Sequence, residues 1–177
     1  THPYVDLDRV GIYGHSGGGF MSSAAILTYP DFFKVAVSSA GNHDNNVYNI
    51  WWGEVHHGVK AVTDSVAVTN DESEEVKEER AEFVSEVPSN AELAGNLQGH
   101  LLLIHGEMDN NVHPANTYRL ADALMREGKR FDMMIFPGMR HGFGRYNDYY
   151  ERMLWEYFAE HLLGTEVSGV EYNLPEE

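Results

Sequence analysis

The sequence predicts an α/β fold, a mostly parallel sheet with helices on both faces. Three observations predict it. Short apolar, β-branched runs alternate with segments of helical period, the pattern of strand–helix–strand crossovers. Leu101-Leu102-Leu103-Ile104 is apolar without a break, as a strand covered on both faces must be. And Val10-Gly11-Ile12-Tyr13 runs through Gly14-His15-Ser16-Gly17-Gly18 into small and apolar residues suited to a buried helix, which reads as strand, sharp turn, helix, with a serine at the apex.

In order, a short polar lead of nine residues precedes the first strand. Glycine is expected at 14 and 18, because side chains at either position would collide where strand and helix converge. The helix stops at Tyr29-Pro30-Asp31, since proline cannot continue the hydrogen-bond ladder. Residues 33–41 give a second short strand. The next stretch, 42–53, is loop-like, polar at first and aromatic at its end, and Tyr48, Trp51 and Trp52 there suit either packing or the wall of a pocket. Residues 54–90 read as an excursion. Within it, 59–69 alternates as the arm of a hairpin would, and 71–84, mostly acidic with Val76, Phe83 and Val84 interspersed, reads as a solvated helix docked by a few apolar residues.

The core resumes at 101–106. A helix follows over 114–126, with proline in its first turn, Leu120, Ala121, Leu124 and Met125 on one face, and Gly128 beyond its end. Residues 131–137 form the fourth strand, 138–144 a loop, and 145–163 a long amphipathic helix whose inward stripe is Tyr150, Met153, Leu154, Tyr157, Phe158 and Leu162, capped by Gly164. A serine-bearing strand of this kind is expected mid-sheet, so a chain in which it comes almost first reads as part of a larger domain, with an apolar strand edge open to a second copy.

Composition narrows the chemistry. The 177 residues are 42% hydrophobic, enough for a real core. A net charge of −16 argues against nucleic acid, whose phosphates need a basic face. Without cysteine there is no thiol catalysis, disulfide or cysteine metal site. No apolar run reaches the roughly 20 residues of a membrane span.

Ser16, Asp109 and His141 each lie just beyond the C-terminal end of a predicted strand, and right-handed crossovers put those ends on one edge of a parallel sheet. A serine hydroxyl becomes a nucleophile at neutral pH only when an imidazole takes its proton and a carboxylate orients that imidazole, and here the three residues occur in the chain order Ser, Asp, His that such sheets use. The Gly17 N–H, at the helix N-terminus, is placed for an oxyanion. Each residue has a plainer reading. Asp109 beside Asn110 and Asn111 suits a turn, and His141 in a glycine-rich loop suits a carbonyl contact; it is the conjunction that favours hydrolysis. His105, Glu107, Asp109 and His113, with His56 and His57, offer metal-ligand types, but glycine and proline interrupt the pattern and no metal is expected.

Gly14-His15-Ser16-Gly17-Gly18, the segment His105-Gly106-Glu107-Met108-Asp109-Asn110-Asn111-Val112-His113 and His141-Gly142-Phe143-Gly144 together resemble the prolyl oligopeptidase family of serine peptidases, nearest its dipeptidyl peptidase IV branch. The resemblance implies the C-terminal portion of an α/β-hydrolase domain, joined in that family to an upstream β-propeller. It implies cleavage of short peptides, often after proline or alanine, through an acyl-enzyme and without a cofactor. It matches Asn111 to a residue that binds a substrate carbonyl, Val112 to a wall of the side-chain pocket, and Tyr48 and Trp51 to aromatic walls. The family's second oxyanion donor and its grip on the substrate N-terminus lie upstream of the serine turn, so the chain alone is expected to be nearly inactive. A carboxylesterase using the same three residues and a non-catalytic interaction module are the alternatives.

Overall fold

The computed structural model describes residues 2–57, 60–69, 75–84 and 89–165. In chain order the elements are β1 (Gly11–His15), α1 (Gly17–Thr28), β2 (Val35–Ser39), α2 (Ile50–His57), β3 (Lys60–Thr69), β4 (Glu75–Val84), a 3-10 turn (Asn90–Asn96), β5 (His100–Gly106), α3 (Ala115–Arg126), β6 (Asp132–Phe136), a short 3-10 turn (Gly144–Tyr146) and α4 (Asn147–Leu163). They divide into two compact units, Thr1–Asp44 with Pro88–Glu177, and Asn45–Val87.

The larger unit is a four-stranded parallel sheet in the order β1-β2-β5-β6. Alternation along its two inner strands divides the core. Ala36, Leu101 and Leu103 face Ile26 and Leu27 of α1, Ala94 and Leu97 near the 3-10 turn, and Leu120, Ala121 and Leu124 of α3. Val35, Val37, Leu102 and Ile104 face the opposite way, onto Phe136, Phe143, Leu154 and Tyr157. Parallel sheets with both faces covered have no polar side to give, which is why β5 reads as unbroken leucine and isoleucine. The register aligns His15 with Ser39, Ser39 with Ile104, and Gly106 with Phe136, so the chain leaves β1, β5 and β6 at one edge.

Among the described residues β1 pairs only with β2 and ends the sheet, the open strand edge expected from the sequence, because residues 2–9 fold into turns. Two other features of this unit differ from the expectation. Met125 is 62% exposed; one position past Leu124, it rotates off the buried stripe. The 3-10 turn after Ser89 was absent from the sequence reading although its signal is present: the Ser89 N–H and hydroxyl both donate to the Glu92 carboxylate, at 3.2 and 3.0 Å.

The smaller unit contains α2 and the antiparallel β3–β4 hairpin. Here the sequence reading fails twice. Trp51 and Trp52 lie on a helix, where the Trp52 ring packs at a tilt against His56, one turn on, with ring centres 4.0 Å apart. Residues 75–84 form a strand instead of the expected acidic helix, paired in register from Glu75 opposite Thr69 to Val84 opposite Lys60. Glutamate, lysine and arginine prefer helix only weakly, and a ten-residue ladder with an alternating neighbour overrides that preference. The first residues of the expected helix, 71–74, lie outside the described residues.

One buried clip joins the larger unit's parts. His43, just past β2, is buried, and its Nδ1 accepts from Asn90 Nδ2 at 3.0 Å; the Asn90 N–H donates to the His43 carbonyl at 2.9 Å, and Asn90 Nδ2 also donates to the Phe20 carbonyl at 3.0 Å. Burial, with a smaller contribution from His105, pushes the His43 imidazole down to about 3. An unfolded histidine protonates near 6.5, so between about 3 and 6.5 the unfolded chain binds the extra proton and stability falls as pH falls through that window. Urea midpoints measured at pH 7 and pH 5, above the carboxylate range, are expected to drop, with His43 contributing on the order of 2 kcal/mol. His43→Leu flattens the dependence, whatever it does to stability at pH 7.

Candidate active site

Ser16 sits between β1 and α1 with φ 59° and ψ −122°, a backbone region that side chains avoid. The surrounding hydrogen bonds hold it there. Its N–H donates to the Ser39 carbonyl at 2.8 Å, and its own carbonyl accepts the Phe20 N–H at 3.0 Å, opening the helix. The turn is tight enough that a Cβ at Gly14 would fall on the Gly18 carbonyl, and one at Gly19 on the Ser39 carbonyl. Gly18, by contrast, has open space around it, so the glycine expected there on steric grounds is needed at 19 instead. Gly17 is the first residue of α1, where an N–H has no preceding turn of helix to donate to.

Asp109 is buried in the loop after β5. Its Oδ1 accepts the N–H groups of Asn111 at 2.9 Å and Val112 at 3.0 Å, and its Oδ2 lies 2.8 Å from His141 Nδ1. The turn-forming and imidazole-orienting readings of this aspartate are therefore both true, one for each oxygen. Burial alone would raise its pKa, but the hydrogen bonds from His141 and from the two backbone N–H groups outweigh it and hold the carboxyl below its ordinary range. The carboxylate stays ionised at neutral pH.

His141 Nε2 lies 3.0 Å from Ser16 Oγ. The loop that carries it is laced to the loop carrying Asp109. The Glu107 N–H donates to the Phe136 carbonyl at 3.0 Å, the Met108 N–H to the Met139 carbonyl at 2.8 Å, and the Gly138 N–H to Glu107 Oε2 at 2.9 Å. So close is the approach that a Cβ at Gly106 would overlap the carbonyls of Arg140 and Met139. His15 packs edge-on against both the His141 ring, 4.8 Å away, and the Phe143 ring, 5.6 Å away. Burial, then the neighbouring His141, lowers its pKa, so it stands uncharged beside the other imidazole.

The structure thus brings Ser16, His141 and Asp109 into one hydrogen-bonded line at the sheet edge, with the Gly17 N–H at its start. Asn111 is exposed at the same loop. Val112 is 0% exposed, so the expectation that its side chain walls a pocket does not fit; it anchors Asp109 from beneath through its N–H. Tyr48 and Trp51 belong to the smaller unit, where Tyr48 packs edge-on against Trp52 at 6.4 Å and Trp51 is 67% exposed. His105, given no role from sequence beyond a metal-ligand type, is wholly buried with both ring nitrogens engaged. A polar residue closing an unbroken apolar run was the signal that could have marked it.

The sequence matches the prolyl oligopeptidase family over residues 1–165. The chain belongs to that family. Among its relatives, dipeptidyl peptidase 8 of Mus musculus is 31% identical over 171 residues, 96% of this chain and 17% of the relative. Inactive dipeptidyl peptidase 10 of Rattus norvegicus is 27% identical over 135 residues, 76% of this chain and 15% of that one. The crystal structure of a Bacteroides ovatus chain assigned as a dipeptidyl aminopeptidase IV superposes with a TM-score of 0.70 at 27% identity, covering 90% of this chain and 20% of the other. The fold is that of the α/β-hydrolase domain of these prolyl oligopeptidase relatives, and the chain spans about a sixth of the length of the curated relatives it matches.

The strain at Ser16 is measurable. Ser16→Gly is expected to be more stable than Ser16→Ala by about 1 kcal/mol, because both lose the hydroxyl while only glycine accepts the positive φ without cost. Thermal or urea unfolding of the two variants checks this, and equal stability would mean the turn stores no strain.

Proposed function

We propose that this chain carries the hydrolytic centre of a serine peptidase of the dipeptidyl peptidase type, acting on short peptides at bonds after proline or alanine. The observation that supports this best is the line of hydrogen bonds from Asp109 through His141 to Ser16, since it supplies both the proton acceptor and the fixed negative charge an alcohol needs to become a nucleophile. Ser16 Oγ attacks the substrate carbonyl carbon as its proton passes to His141 Nε2. Asp109 remains ionised and stabilises the imidazolium. The Gly17 N–H donates to the oxyanion of the tetrahedral intermediate. His141 then returns the proton to the leaving amine as the C–N bond breaks, leaving an ester on Ser16. Water, deprotonated by the same nitrogen, hydrolyses that ester and restores the hydroxyl.

Asn111 donates to a substrate backbone carbonyl. The names of the relatives support peptides as the substrate class, although one carries the word inactive in its own name. Because the matched relatives are roughly six times longer, we assign full turnover to a polypeptide that adds a second oxyanion donor and a grip on the substrate N-terminus. A chain that supplies one of two oxyanion donors would turn over peptides about 10²–10³ more slowly than one that supplies both.

A fluorophosphonate probe tests the centre without requiring those additions. Labelling is expected on Ser16, absent in Ser16→Ala and slowed on the order of 10³-fold or more in His141→Ala. An unlabelled Ser16 would sink the hydrolytic reading in favour of an interaction module. Turnover of a p-nitrophenyl ester together with refusal of a proline dipeptide anilide, in a protein joining this chain to a relative's remaining sequence, would replace the peptidase with a carboxylesterase.

A further inference from the structure

We infer that His105 is a positioning residue for the reaction at Ser16: kept in its Nε2–H tautomer, it is a second imidazole on the Asp109 carboxylate and fixes the oxygen that faces His141. The kinetic consequence rests on the hydrolytic reading above; the geometry does not.

His105 lies on β5 directly after the run of four apolar residues and has no exposed surface. A ring buried there is tolerated only if both nitrogens find partners. Nδ1 lies 2.7 Å from Thr117 Oγ1 on α3, while Nε2 lies 2.9 Å from the Val112 carbonyl and 3.2 Å from Asp109 Oδ2. A carbonyl and an ionised carboxylate only accept, so Nε2 must carry the proton. Nδ1 is then bare, and the Thr117 hydroxyl, which can play either part, donates to it. Burial lowers the pKa of His105, in keeping with a neutral ring.

The result is a carboxylate met by four N–H groups. Two from the backbone of Asn111 and Val112 meet Oδ1; the rings of His141 and His105 meet Oδ2. His105 also ties the Val112 carbonyl, so the same ring braces both ends of the turn that aims Asp109. Rotation of the carboxylate about its own axis would break contacts on both oxygens at once. Because Oδ2 is shared, its bond to His141 is weaker than it would be with one donor, and removal of His105 should strengthen that bond while loosening its direction.

Nitrogen-resolved NMR of the imidazoles in the unmodified chain reads the tautomer directly. The inference requires His105 to carry its proton on Nε2, and a proton on Nδ1 with Nε2 bare overturns it. Thr117→Val, nearly isosteric but unable to donate, is expected to slow fluorophosphonate labelling of Ser16 by about 10-fold, within the range for a small misplacement of reacting groups. Thr117→Ser is expected to restore the parent rate, a rescue that simple loss of packing would not give. In His105→Phe the His141 Nδ1 proton should move further downfield as its bond to Asp109 is no longer shared. Parent-rate labelling by Thr117→Val, or an unmoved His141 resonance in a folded His105→Phe, overturns the proposal. If His105→Phe does not fold, the parent tautomer and the two Thr117 variants decide. If the parent chain does not label at all, the hydrolytic reading fails, and the tautomer and the resonance still judge the geometry.

Discussion

The structure depends on the convergence of parallel strand ends. Because β1, β5 and β6 all run the same way, the chain leaves each of them at one rim, and the loops that follow are forced together there. A glycine at 106 lets two of those loops touch through their backbones, and three interloop bonds through Glu107, Met108 and Gly138 lock them. The positions of Asp109 and His141 then follow from β-sheet register plus a few residues of slack. Ser16 reaches the same place from the other side through a turn so tight that its own backbone is strained.

Electrostatics at the rim follow from burial as much as from charge. A carboxylate with its side chain closed off from water would ordinarily hold its proton, yet Asp109 is kept ionised by backbone and imidazole donors. The histidines beside it go the other way: His15 and His105 are both driven toward neutrality by the same desolvation. An ionised carboxylate thus lies 2.8 Å from His141, with the neutral ring of His105 against it and that of His15 against His141.

Much of this was legible in the sequence because the signals were local. Unbroken Leu101–Leu103 with Ile104, the glycines about Ser16, the proline ahead of α3 and the stripe of α4 each specify one element without reference to any other. The three residues of the candidate site were legible for the same reason, each following a recognisable strand. What could not be read was decided at a distance. Glutamates 75–82 look helical until β3 lies beside them. Glycine at 18 looked necessary until the backbone path placed the crowding at 19, against Ser39. Val112 looked like a wall because an apolar side chain beside a polar turn can face either way, and here it faces in. His105 looked like a ligand because nothing nearby in sequence names Thr117, twelve residues on and a helix away, as its partner.

Ser16 and the histidine that faces it are separated by 125 positions along the chain. A polypeptide made from its N-terminus therefore exposes the serine long before the ring that would activate it exists, and the two meet only after β5, α3 and β6 have been laid down in order. On the hydrolysis proposed above, assembly itself would act as a safety catch: a half-finished copy has the alcohol but not yet the imidazole that would take its proton.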